Sequence, residues 1–273
     1  MPTVNDVYEF LNSFAPAEMK MDFDNVGFLV GSGKSPAEKV LVSLDITDDV
    51  ISEALGAGSN LIVSHHPLFF SLKSVTDADP AGAKVVRLIG GGVSAICMHT
   101  NLDAARGGVN DALAAAAGIA GDGADAQLLS DDGRLPAGEV FSYGRVGCLK
   151  HPCPLREYLA FLKPALGTCG LRYHDARRDV FKVAVAGGSG GDMLGHAARH
   201  GCDTFVTADI KYSVFLQAKE LGINLIDGDH FCTENVVTGA LADKLRAAFP
   251  GAEVAVSERH AQTVKFFVSN DGY

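Results

Sequence analysis

Ser64-His65-His66-Pro67 closes a run of strand-forming residues, Asn60-Leu61-Ile62-Val63. Two adjacent imidazoles at the end of a buried strand are costly and unusual. Successive side chains of a strand point to opposite faces. Both rings therefore meet one ion only where the strand has ended and the chain is turning. Pro67 supports that turn, because it fixes φ and cannot continue a ladder. The pair reads as a metal site at the carboxyl end of a strand. Two partly exposed loop histidines are the plainer reading of the same residues.

Two further clusters strengthen the metal reading. His99-Thr100-Asn101-Leu102-Asp103 follows the apolar run from Val93 to Met98, and His230-Phe231-Cys232-Thr233-Glu234 follows Ile223 to Asp227. Each places a carboxylate four residues after a histidine. In the first turn of a helix, residues i and i+4 share a face. Imidazole and carboxylate together suit zinc, iron or manganese. Cys232 lies midway between His230 and Glu234, about 200° around such a helix. It is expected to pack as a small apolar side chain and not to bind metal.

The rest of the chain sets bounds. Its 273 residues form one large domain or two small ones, and 47% apolar content supplies a sizeable core. A net charge of −10, with no run of Lys and Arg, argues against a nucleic-acid surface. The six cysteines form no CxxC and no regular framework, so reduced, buried thiols are expected. The first residues lack the charged and apolar regions of a signal peptide. No stretch approaches 18 consecutive apolar residues, so no membrane span is expected. The chain reads as cytoplasmic.

The elements that must position the clusters alternate. The pattern predicts a helix over 5–14, a strand over 26–31, then strand 39–46, helix 48–57, strand 60–64, helix 80–90, strand 93–98 and helix 107–117. Residues 119–138 carry no clear period. Strand 139–149 leads to a helix near 155–163. The alternation resumes with strand 182–186, helix 190–200, strand 203–208, helix 211–221, strand 223–227 and helix 232–247. Strands near 253–257 and 263–268 close the chain. Apolar strands separated by helices imply a mostly parallel sheet covered on both faces.

The second series resembles the first. Lys39-Val40-Leu41-Val42 and Lys182-Val183-Ala184-Val185 each precede a helix, and Gly58 and Gly201 end those helices at the same offset, 143 residues apart. His99 and Asp103 match His230 and Glu234 at an offset of 131. The expected fold is α/β, with two similar lobes facing a shared metal-binding cleft. The expected lobes are 1–120, with the first two clusters, and 121–250, with the third. Residues 251–273 would add closing strands. Sites of open α/β sheets form beyond the carboxyl ends of the strands.

These residues resemble a known family. Asp24-Asn25-Val26-Gly27 with Gly31, Ser64-His65-His66-Pro67-Leu68, His99 to Asp103 with Gly108-Val109-Asn110, and His230 to Glu234 are similar to signatures of the Nif-three-like dinuclear metal family. Its members are commonly labelled GTP cyclohydrolase 1 type 2 homologues. The order and spacing agree over nearly the whole chain. The resemblance implies a bilobal α/β fold, a toroidal homohexamer and two divalent metal ions per chain, held by His65, His66, Asp103, His230 and Glu234. His99 sits where the family keeps a histidine beside the metals. Some members carry an inserted central domain, for which the span from Asp103 to His230 is too short here.

Five ligands exceed the three that a single open zinc site takes. They suit two ions sharing a bridging carboxylate. Ions roughly 3.5–4 Å apart activate a water and stabilise a leaving oxygen together. His99 reads either as a proton shuttle or as a partner that orients Asp103. Asp24 and Asn25 line the cleft or simply make a turn. Gly187-Gly188-Ser189-Gly190-Gly191 holds a phosphate or, on the preferred reading, forms a tight turn. His196 and His200 read as surface residues. Lys211 and Tyr212 are candidates to point into the cleft. His151, His174 and His260 are assigned nothing. The leading function is a metal-dependent hydrolase of a nucleotide or phosphate-bearing small molecule, by purine-ring opening or phosphoester cleavage. The alternative is a non-catalytic metal-binding assembly or regulatory scaffold.

Overall fold

The structure, a computed structural model, describes residues 1–119 and 126–267. In chain order the first elements are α1 (Val4–Phe14), β1 (Gly27–Val30), β2 (Lys39–Ser43), α2 (Asp48–Ala57), β3 (Leu61–Ser64), α3 (Pro80–Gly90), β4 (Ser94–Cys97), α4 (Thr100–Ala104) and α5 (Val109–Ala116). They are followed by β5 (Gln127–Leu128), β6 (Gly133–Arg134), β7 (Val140–Phe141), β8 (Arg145–Cys153), α6 (Leu155–Leu166), β9 (Arg172–His174), β10 (Val180–Val185), α7 (Leu194–Arg199), β11 (Thr204–Thr207) and α8 (Tyr212–Leu221). The chain closes with β12 (Asn224–Asp227), α9 (His230–Glu234), α10 (Val236–Ala248) and β13 (Glu253–Val256).

The chain divides into two compact units. The first comprises Met1–Ala112, Ser130–Tyr143 and Asn235–His260; the second takes the described parts of Leu113–Leu129, Gly144–Glu234 and Ala261–Tyr273. Helix α10 and strand β13 thus belong with the N-terminal unit, although sequence order alone grouped α10 with the second lobe. The physical reason is burial. Val237, Leu241, Ala242 and Leu245 of α10 join Val4, Val7 and Leu11 of α1 against Val40, Val42, Leu61, Val63 and Ile96 of the sheet. On the other face Leu41, Ile62 and Ala95 pack on Val50, Ile51 and Ala54 of α2 and on Val85 and Leu88 of α3. The strand period of two assigns alternate residues to these layers.

The sheet of the first unit has the order β1-β4-β3-β2-β13. The contacts β4–β3, β3–β2 and β2–β13 are parallel, and β1 is an antiparallel edge. The sheet of the second unit has the order β5-β8-β10-β11-β12-β9, with a parallel centre β10-β11-β12 between antiparallel flanks. The run β1-β4-β3-β2 in one unit and β9-β12-β11-β10 in the other share order and strand direction. Gly58 and Gly201 follow equivalent helices with φ of 69° and 68°, the left-handed conformation glycine adopts without penalty. The repeat read from the sequence is a repeat of topology.

Local signals set the helix starts. Thr3 and Asp6 form a reciprocal capping box on α1, Thr47 caps α2, and Asp79 caps α3 ahead of Pro80. The helix expected over 232–247 is two helices that abut at Asn235. The strand expected at 139–149 is β7 and β8, and β8 continues through Pro152 to Cys153. The expected strand at 263–268 does not form over 263–267, and residue 268 lies outside the described residues. Among the described residues no helix is long and apolar enough to cross a membrane.

Candidate metal centre

In the first unit, two serines end neighbouring strands and turn the chain in the same way. Ser64 Oγ donates to the His66 carbonyl at 2.8 Å, and Ser43 Oγ donates to the Asp45 carbonyl at 2.8 Å. Such local bonds compete with the ladder and bend the chain. The amides of His65 and His66 still donate to Ser43 and Leu44 of the adjacent segment, at 3.2 and 2.8 Å. The two rings consequently lie with centroids 4.9 Å apart and not on opposite faces.

His99 follows β4 and occupies the N-cap of α4. Its ring lies 5.2 and 5.4 Å from those of His65 and His66. One ring nitrogen from each of the three falls within 4.8 Å of the others. Asp103, one helical turn on, places Oδ1 3.6 Å from His65 Nε2.

Each of these rings is anchored through Nδ1. His65 bonds the Met98 carbonyl at 2.9 Å, His66 bonds Asp45 Oδ1 at 2.7 Å, and His99 bonds Asp24 Oδ1 at 2.8 Å. Asp24 is itself fixed by the Thr100 amide at 3.0 Å and by the Thr100 hydroxyl. A bond at Nδ1 fixes the orientation of the ring and with it the direction of Nε2. This is how metal-binding histidines are held in carboxylate–histidine–metal arrangements.

The second unit repeats the device. Helix α9 presents His230 and Glu234 at i and i+4, with Nε2 and Oε2 3.1 Å apart. His230 Nδ1 bonds Asp209 Oδ2 at 2.7 Å. Asp209 and Asp229 hold φ of 51° and 74°, the left-handed region that non-glycine residues rarely enter. Asp229 accepts the Cys232 amide at 3.2 Å through Oδ1, and its backbone carbonyl accepts the Thr233 amide at 2.9 Å. These bonds fix the first turn of α9. Gly188 closes the other side, with its amide on Thr233 Oγ1 at 3.1 Å. The glycine-rich segment is the tight turn preferred on sequence grounds, since Gly188 O accepts the Ala208 amide at 2.8 Å and the Thr207 hydroxyl at 3.1 Å.

The electrostatics follow from these contacts. Burial works to raise the Asp24 carboxyl, but the bonds from His99 and Thr100 outweigh it and hold the group at about 2. Burial likewise opposes Asp45, and the imidazoles of His260 and His66 carry it well below the usual carboxylate range. Glu234, seconded by Asp209, raises His230 to about 9. The pair therefore attracts positive charge strongly. Burial pushes the Cys232 thiol up to about 11, so it is not a ready thiolate.

The residues fit divalent ions. In each unit hard oxygen and imidazole nitrogen donors converge, histidine Nδ1 atoms are tied back, and ligand geometry is enforced by close packing. The sequence candidates His65, His66, His99, Asp103, His230 and Glu234 all fall in groups whose ligand atoms lie close enough to hold an ion. Sequence reasoning missed Asp45 and Asp209 as anchors and dismissed His260, whose Nε2 lies 2.9 Å from Asp45 Oδ2. The available signal was position, since Asp45 and Asp209 each lie two residues beyond a parallel strand. His99 is tied to Asp24, a residue the sequence placed only between cleft lining and a turn. Lys211 and Tyr212 are exposed at the start of α8. His151, His174, His196 and His200 join no candidate metal group among the described residues.

The model of the Duf34/NIF3 (NGG1p interacting factor 3) family matches residues 2–263. The chain belongs to the DUF34/NIF3 family. A Clostridium perfringens relative in this family, named GTP cyclohydrolase 1 type 2 homolog, is 33% identical over 98% of this chain and 96% of its own length. A Streptomyces coelicolor protein of the same name is 34% identical, covering 86% of this chain and 82% of its own. A Bacillus subtilis protein of that name aligns over 364 positions at 27% identity, so it carries sequence that this DUF34/NIF3 member lacks. Among solved structures, a Staphylococcus aureus hypothetical protein superposes with a TM-score of 0.90 at 27% identity, covering 98% of this chain and all of that one. A Bacillus cereus protein related to NIF3 shares the fold at a TM-score of 0.89 and 22% identity, covering 98% of this chain and 99% of its own.

Proposed function

We propose that this DUF34/NIF3 protein is a dinuclear metal-dependent hydrolase acting on a nucleotide. His65, His66, Asp103, His230 and Glu234 would hold two divalent ions. The observation that carries this reading is the common construction of the four histidines. His65, His66, His99 and His230 each spend Nδ1 on a backbone or carboxylate acceptor, and in His65 and His230 this turns Nε2 toward a carboxylate, Asp103 at 3.6 Å and Glu234 at 3.1 Å.

When bound, paired ions would supply Lewis-acid polarisation and an activated water near neutral pH. The chain's own residues supply the rest. His99, fixed by Asp24, would take or give a proton at Nε2, completing hydrolysis by protonating the leaving atom. Glu234 and Asp103 would supply the negative charge that balances the ions.

One observation favours a nucleotide over a simple phosphoester. Phe23 and Phe70 are 63% and 57% exposed. Their ring centroids are 6.1 Å apart, and Phe70 meets His99 edge-on at 5.9 Å. Exposed aromatic rings stack on nucleobases, worth about 1–3 kcal/mol per base. We extend the proposal to a homohexamer, on the likeness to the family. Light scattering is expected to give six chains per particle; a stable monomer at micromolar concentration would refute it.

The deciding experiment screens metal-reconstituted protein against nucleotides and phosphoesters, with Glu234→Ala as control. Turnover of a nucleotide that requires added metal and is lost in the variant is expected. Full loading with two ions and no turnover of any substrate would favour the non-catalytic scaffold.

A further inference from the structure

We propose that His260 is a positioning residue for the metal centre, acting on His66 through Asp45. The segment 257–260 would then be a built part of the site and not a trailing end. The inference rests on the reading of His66 as a metal ligand.

The geometry is a chain of three groups. Asp45 uses Oδ1 to hold His66 Nδ1 at 2.7 Å and Oδ2 to accept His260 Nε2 at 2.9 Å. A carboxylate bonded through one oxygen can still swing about its terminal torsion, which is broad for Asp. A second donor on the other oxygen fixes the plane. The His66 ring, and hence the direction of its Nε2, inherits that fixity. The His260 side chain is 6% exposed while Asp45 is 41% exposed, so the buried imidazole is the stiffer end of the pair.

The fold delivers His260 across 215 positions of sequence by strand pairing. Strand β13 lies parallel to β2, with Val256 opposite Val42. Parallel neighbours release their following segments at the same end of the sheet. The Ser257 amide extends the pairing to Val42 O at 2.8 Å. Glu53 of α2 then clasps the turn, accepting the Ser257 hydroxyl, the Glu258 amide at 2.8 Å and the Arg259 amide at 3.3 Å. The His260 amide closes back on Ser257 Oγ at 3.1 Å. Three donors on one carboxylate are more than a passive tail requires. They fix the backbone from which the imidazole reaches Asp45.

The test uses the full chain and Zn²⁺ alone, with affinity read by competition against a chromophoric chelator. Loss of such an outer partner typically weakens metal binding about 10–100-fold. His260→Ala is therefore expected to bind its weaker zinc about 10-fold less tightly, with the metal-free circular dichroism spectrum unchanged. His260→Gln, whose amide can donate to Asp45, is expected to recover most of that loss. Glu53→Ala, which frees the turn without touching the triad, is expected to weaken zinc in the same direction and keeps the test valid if His260→Ala does not fold. His66→Ala is the reference for outright ligand loss. Wild-type zinc affinity in both His260→Ala and Glu53→Ala, beside a clear loss in His66→Ala, would overturn the positioning role alone. Wild-type affinity in His66→Ala would overturn the ligand reading and this inference with it.

Discussion

A Cβ on Gly188 would stand 2.1 Å from Oε1 of Glu234. No real Cβ sits that close to an oxygen, and φ of 60° adds strain for any other residue. The loop before α7 therefore packs its backbone against the carboxylate of α9 and leaves no room for a side chain at 188 unless Glu234 shifts. Gly188→Ala is expected to displace Glu234 and weaken metal binding by about 10–100-fold. Its readout is metal content after dialysis against a weak chelator. Full retention of metal would show that Glu234 is not a ligand.

Asp24 gives a pH signature. Its folded value of about 2 lies below the ordinary aspartate value of 3.8. A depressed carboxylate stabilises the fold above its unfolded value and loses that contribution as pH falls through the folded one. In metal-free protein the contribution is on the order of 2 kcal/mol at neutral pH. Asp24→Asn is expected to be less stable than wild type in urea near pH 6, with the gap narrowing between pH 4 and pH 2. A gap that stays constant across that window would show that the charge of Asp24 contributes nothing.

Cys232 is 5% exposed and lies between the two α9 residues that face the proposed ions. Its amide is capped by Asp229 and its thiol is kept protonated by burial. Cys232→Ser is expected to keep wild-type metal content at a stability cost of about 1–3 kcal/mol for the buried hydroxyl. Loss of metal from a folded variant would make the thiol a ligand and break the assigned set.

Phe70 separates the substrate classes. Phe70→Ala is expected to weaken nucleotide binding to metal-loaded protein about 10-fold, with inorganic phosphate unaffected. Calorimetric titration with each compound measures both. Equal losses for the two ligands would mean that the ring orders the site and does not stack a base.

The residue types and their spacing by themselves pointed to candidate metal ligands. An imidazole pair at the end of an apolar run, and two His/carboxylate pairs four residues apart, converge wherever the chain folds locally as strand–turn or helix–turn. That is short-range geometry, so Ser64 to Pro67 and His230 to Glu234 could be read directly. Unbroken apolar runs such as Val40-Leu41-Val42, separated by helices, likewise pointed to an α/β sheet covered on both faces. What only the tertiary structure decided was long-range. Asp24 reaches His99, Asp45 reaches His66 and Asp209 reaches His230 across 75, 21 and 21 positions, because segments following adjacent parallel strands emerge together and the segment entering antiparallel β1 meets the end of β4. Pairing of β13 with β2 places α10 in the N-terminal unit and brings His260 to Asp45. Nothing in the local sequence around His260 marks it, since strand order is set by which apolar faces can be buried together and not by neighbours in the chain.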